Sequence, residues 1–175
     1  MSSISIGAAI FLLAAVFAFW LIMSYKGFVR LRNSAEEAFS TTEVYMKRRR
    51  ELLSRFVKLA EKSPGGDDWR DILRNVSDAV QLAEAAQSAD ERILCESAVA
   101  ETIETLFFAL DMDERRKKDK SYLRLRRQIE EADRNIAHVG SFYNRIAGTM
   151  NKRIHMFPSS VVAKMFHFTS YPLIG

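Results

Sequence analysis

Three histidines, one cysteine and several paired carboxylates are the residues of this 175-residue chain that could do chemistry. His138, His155 and His167 would suit a metal site or proton transfer if partners followed at i+3 or i+4 on a helix. None has another histidine or the cysteine at that spacing. Glu36-Glu37, Glu130-Glu131 and Asp133 suggest a di-metal carboxylate bundle, but that chemistry takes Glu-x-x-His pairs projecting inward from two helices. Glu51, Glu91, Glu96, Glu101 and Glu104 have no histidine three residues on. His138, beside an apolar seam, reads as a partly buried packing residue. Cys95, among Ile93, Leu94 and Ala98, reads as a small core residue rather than a nucleophile. H-E-x-x-H, C-x-x-C, G-x-S-x-G and Gly-rich phosphate loops do not occur. The expectation is a non-enzymatic protein with no catalytic residues, no cofactor, no metal and no small-molecule substrate.

Binding is the better use of these residues. Lys47-Arg48-Arg49-Arg50 is the densest basic cluster. Arg49 falls on the apolar seam and is expected to pair with a buried acid from the last long helix. Lys47, Arg48 and Arg50 are candidates for an acidic partner, a neighbouring subunit before lipid. A solvated face with a Glu43–Lys47 pair is the plainer alternative. A second basic patch, Arg115, Arg116, Lys117 and Lys118, lies in a charged run from Asp111 to Lys120 without apolar period. The net charge of +4 suits anionic lipid and is too small to argue for nucleic acid. The C-terminal tail is apolar and aromatic, which a fraying terminus would not be. Phe157, Val161, Val162, Met165, Phe166, Phe168, Tyr171 and Leu173 are its candidate contacts. Another subunit or the membrane interface is expected ahead of a return onto the chain itself.

Helices must position these residues. Ile4 to Met23 is an uncharged apolar run of about 20 residues, enough to cross a bilayer. Trp20 and Tyr25 suit the headgroup layer. A cleaved signal would have a basic n-region and a small-x-small site. Met1-Ser2-Ser3 has no basic residue, and the run ends in bulky Trp20 to Met23, so it reads as an anchor. Lys26, Arg30 and Arg32 then place the N-terminus outside and the rest in the cytoplasm. The lone cysteine suits a reducing compartment.

Beyond the anchor, Phe28, Leu31, Ala35, Ala38, Thr42, Tyr45, Leu52, Phe56 and Leu59 alternate by three and four, a bundle-type seam. Ser63-Pro64-Gly65-Gly66 stops that helix. A second helix, capped by Asp67 or Asp68, buries Trp69, Leu73, Val76, Val80, Ala83 and Ala86. Ser88-Ala89-Asp90-Glu91 opens a third as a capping box. Its core residues are expected to be Ile93, Leu94, Ala98, Val99, Ile103, Leu106, Phe107 and Leu110. A fourth carries Tyr122, Leu125, Ile129, Ala132, Ile136, Val139, Tyr143, Ile146 and Met150, and stops at Pro158. The fold class is thus all-α: an N-terminal transmembrane helix continuous with an antiparallel four-helix bundle. The divisions are 1–25 for the external N-terminus and span, 26–157 for the cytoplasmic bundle and 158–175 for the tail.

The order of motifs resembles the LemA family. Tyr25-Lys26-Gly27-Phe28-Val29-Arg30-Leu31-Arg32-Asn33, Glu37-Ala38-Phe39-Ser40, Val44 and Lys47-Arg48-Arg49 are similar to its first helix. Arg134-Asn135-Ile136-Ala137, Phe142-Tyr143-Asn144, Asn151 and Phe157-Pro158-Ser159 followed by Phe166-His167-Phe168 resemble its later signatures. The family's Trp is Phe39 here, its AEAYPDLKAN-like stretch is the charged Asp111 to Lys120, and its FGF glycine is His167. The resemblance implies a bacterial membrane-anchored helical bundle without an established enzyme activity. Some relatives are associated with magnetosome membranes and others with membrane proteases. The expected role is a scaffold that self-assembles as a homo-oligomer and organises or remodels the bacterial inner membrane, or an internal membrane derived from it. Membrane lipid and a membrane-protein partner are the expected contacts. The alternative is an adaptor for a membrane protease or transporter in envelope stress, docking through the basic tip.

Overall fold

The three-and-four spacing of the long segments is kept in space. A computed structural model describes the backbone of residues 2–63 and 69–175, with side chains from residue 7 onward. The described residues form five α-helices and no strand: α1 Ser2–Glu61, α2 Arg70–Ala85, α3 Ala89–Met112, α4 Lys120–His155 and α5 Ser159–Met165. A 3-10 turn, Arg116–Lys118, lies between α3 and α4. The Pro-Gly-Gly stop and the capping Asp67 or Asp68 fall outside the described residues. α1 ends at Glu61, and α2 begins at Arg70 with Trp69 at its N-cap and no side-chain cap bond.

The chain divides into two compact units. One comprises Met1–Glu37 and Asn144–Tyr171, the other Ala38–Tyr143 and Pro172–Gly175. The larger unit is built on both faces of α1. Leu52 and Phe56 bury along the expected seam, and Leu53, Val57 and Ala60 along a second one. They meet Leu73, Val76 and Val80 of α2, Val99, Ile103 and Leu106 of α3, and Ile129 and Ala132 of α4. Phe56 stacks on Trp69 and meets Tyr122 edge-on at 5.2 Å. The Tyr122 hydroxyl donates to Ser63 Oγ at 2.8 Å.

Two expectations for α3 differ. Ser88 does cap it, accepting from the Glu91 amide at 3.2 Å, while the Glu91 carboxylate accepts from the Gln87 amide. Leu94 and Ala98, however, are exposed, and Ile93, Glu96, Val99, Ile103, Leu106 and Leu110 form the buried stripe. Apolar residues lie on both sides of this helix, so composition leaves its inner face ambiguous.

In the smaller unit, α1 carries an 18-residue window of mean hydropathy 2.3 with none of it buried. This helix is long and apolar enough to cross a membrane. Past that window, Phe28 packs with Met150 of α4 and with Val162 and Ala163 of α5. Trp20, Leu21, Leu31, Ile154, Phe168 and Tyr171 surround this small core.

Candidate functional site

Arg49, the break in the α1 seam, is buried in the larger unit. Its Nη2 donates to Glu96 Oε2 at 2.6 Å and to the Glu96 carbonyl at 3.0 Å, and its Nη1 donates to Asp133 Oδ1 at 2.7 Å. The expectation is a buried acid on α4; Asp133 lies on α4 but is one-third exposed, and the buried acid is Glu96 of α3. Arg50 is also buried and pairs with the other Glu96 oxygen. The expectation that Arg50 faces a partner is corrected: it lies on the second α1 seam, between Met46 and Leu53, where solvent does not reach. Lys47 and Arg48 stay exposed, and Arg48 pairs with Glu51 at 3.7 Å. Glu43 pairs with Arg92 of α3 rather than with Lys47. One buried carboxylate holding two guanidiniums ties α1 to α3.

The basic tip is also divided. Asp113 Oδ1 accepts from the amides of Arg115 and Arg116, at 2.9 Å each. Arg116 pairs with the same carboxylate and lies 4.8 Å from the Trp69 ring centroid. It is only 8% exposed, so the reading of Arg116 as a docking cation is corrected. Arg115 and Lys118 are exposed, while Lys117, half-buried, pairs with Glu114. The Arg116 amide, helped by its guanidinium and the Arg115 amide, holds the Asp113 carboxyl below the usual carboxylate range against a smaller effect of burial. A lowered pKa contributes stability that is full above the ordinary value and lost as pH falls through the folded value. Asp113→Ala is expected to cost about 1 kcal/mol at neutral pH, as for a lost cap. Thermal melts of both proteins should converge as the pH is lowered into the acid range.

The tail departs most from expectation. Val162 and Ala163 are buried, Phe168 stacks on Phe28 at 4.9 Å, and Tyr25 meets Phe166 at 4.6 Å. Asn151 Nδ2 donates to the Tyr171 carbonyl at 2.9 Å, and the Tyr171 amide donates back to Asn151 Oδ1 at 2.8 Å. In the larger unit, Tyr143 Oη donates to the Pro172 carbonyl at 2.7 Å, and Ile174 packs over Gly140, 3.6 Å from where a Cβ there would sit. The preference for another subunit or the membrane is therefore corrected for Val162, and Phe168 and Tyr171 spend most of their surface on their own chain. The apolar side chains find partners within one molecule, at lower entropic cost than association. Phe157, Val161, Met165, Phe166 and Leu173 remain exposed, Phe157 by 82%.

A short helix within the tail was not expected. It ends at Met165 with Phe166 as C-cap, and His167 follows with φ 56° in the left-handed region. The Phe168 amide donates to the Ala163 carbonyl at 2.9 Å and the His167 amide to the Lys164 carbonyl at 3.4 Å, the paired bonds of a Schellman cap. The position where the resemblance led to a glycine is thus the one that favours glycine. His167→Gly is expected to stabilise the tail by about 1 kcal/mol, measured by thermal melting, because it removes the Cβ penalty.

His138, His155 and His167 are all exposed, which corrects the packing role given to His138. Cys95 is half-buried against the larger core. Among the described residues no three His, Cys, Asp or Glu could share a metal ion. The protein-family model described as the LemA family matches residues 38–174, most of the chain. It spans the buried arginine pair, the tip and the tail, including Tyr143, Asn151 and His167. Comparison with curated proteins gives no match.

Proposed function

We propose that this chain, which belongs to the LemA family, is a non-enzymatic, membrane-anchored scaffold that self-assembles and organises or remodels a bacterial membrane. The observation that carries this reading is α1. It is an unbroken helix from Ser2 to Glu61, apolar and unburied over its first part and built into a core farther on. A helix that leaves the bilayer without a break couples the packing of the folded part to the tilt of the span. In this reading α1 to α4 form an antiparallel four-helix bundle, as their shared core supports. The bundle is cytoplasmic in this reading, because Lys26, Arg30 and Arg32 closely follow the span. Exposed Val44, Leu82, Leu94 and Phe142 offer apolar contacts for further copies. Alkaline carbonate treatment of membranes from expressing cells tests the anchor. The protein should stay in the pellet, with Lys47 and Arg48 protected from external protease; release to the supernatant would exclude it.

One observation favours the adaptor alternative. Phe108 and Met112, one turn apart on α3, are both exposed beside the exposed Arg115 and Lys118. Charge reversal at Arg115, Lys117 and Lys118 separates the two readings. An adaptor loses its captured partner, whereas a scaffold assembling through its sides keeps its oligomer size.

A further inference from the structure

We propose that the smaller unit is a docking surface for anionic phospholipid, with α5 seated in the headgroup layer beside the α1 span. The inference rests on the anchor proposed above and adds the lipid charge and the residues that meet it. Its first support is charge. Within Met1–Glu37 and Asn144–Tyr171, seven lysines and arginines stand against two acids, Glu36 and Glu37, a net +5. The whole chain carries +4, so the rest of the molecule is net −1. The positive charge therefore belongs to the unit that contains the membrane-length helix. Lys26, Lys152, Arg153 and Lys164 are exposed and make no ion pair among the described residues.

Geometry supplies the second support. The guanidinium of Arg153 lies 3.2 Å from where a side chain at Gly27 would begin. That places the cationic end of α4 level with the residues just past the apolar run of α1. Phe166 lies against Tyr25, so its ring extends the exposed apolar surface of Ile22 and Met23. On α5, Val161 and Met165 are one turn apart and exposed, while Val162 and Ala163 are buried. Met156 and Phe157 are exposed at the preceding turn. An apolar face rimmed by unpaired cations, at the end of a bilayer-length helix, fits the boundary between acyl chains and phosphates.

The test uses the full chain with Cys95→Ser and Met165→Cys, labelled at the new thiol with a polarity-sensitive fluorophore. It is reconstituted in nanodiscs of phosphatidylcholine, with and without about a third phosphatidylglycerol. The anionic lipid should increase quenching by nitroxide lipids and decrease quenching by a water-soluble reagent. Combining Lys152→Gln, Arg153→Gln and Lys164→Gln should abolish that difference, at roughly fivefold in docked population per cation. Arg115→Gln with Lys118→Gln, in the other unit, should change nothing. A label equally open to water in both lipids, or a response unchanged in the triple variant, would overturn the proposal while leaving the anchor standing. Failure of the protein to enter the bilayer would overturn both.

Discussion

Glu96→Ala is expected to lower the stability of the larger unit by about 3–5 kcal/mol, the range for a buried ion pair that loses one partner. Glu96 is 3% exposed and serves two guanidiniums that are nearly as buried. Without its carboxylate, Arg49 keeps the backbone carbonyl of residue 96 and Asp133, which is one-third exposed, and Arg50 has no acid among the described residues. The loss arises from stranding charge, not from the absence of an attractive contact. Replacing Arg49, Arg50 and Glu96 together by methionine, methionine and leucine should therefore recover most of the stability. Arg48→Ala, which breaks an exposed pair with Glu51, should shift it by less than about 0.5 kcal/mol. Urea denaturation of the full chain in detergent, followed by helical circular dichroism, checks all three. A Glu96→Ala midpoint equal to that of Arg48→Ala would exclude this role for the network.

Phe28→Ala is expected to cost about 3–5 kcal/mol, with the loss confined to the smaller unit. Phe28 is fully buried at the centre of that core, stacked on Phe168 and packed with Met150, Val162 and Ala163. The core has few large side chains, so the surroundings can only partly fill the cavity. The segment with least of its own secondary structure, α5 and the residues after it, should detach first. Amide hydrogen exchange in 159–171 should approach the unprotected rate, while α2 and α3 keep their protection. Unchanged protection of the tail would contradict its assignment to this core.

The sequence allows the long helices to be read because each carries one long apolar seam that stays buried or half-buried. Phe28 to Leu59 on α1 and Tyr122 to Met150 on α4 are buried or half-buried throughout, Arg49 included. What escaped was polar residues inside seams. Met46, Arg50, Leu53, Val57 and Ala60 follow the same three-and-four rule, and so do Ile93, Glu96, Val99, Ile103, Leu106 and Leu110. A charge in each stripe, of opposite sign, was the available signal for the Arg50–Glu96 pair. On α3 it was masked by Leu94 and Ala98, which satisfy a helical period equally well and face outward. Arg116 sits in a non-periodic charged run, where burial depends on one aspartate and one tryptophan that spacing cannot connect. The tail turned on local chemistry. Its left-handed residue is a histidine, which conceals the cap that a glycine would have announced, and Asn151 pairs with a backbone twenty residues away.

Assembly is the centre of the account. Full-length protein extracted in mild detergent, viewed by electron microscopy with mass determination of the same sample, tests it most directly. A scaffold predicts large assemblies of regular geometry at micromolar concentration. A population of monomers or dimers would contradict the scaffold and leave the adaptor, with its exposed tip residues Phe108, Met112, Arg115 and Lys118, as the reading to pursue.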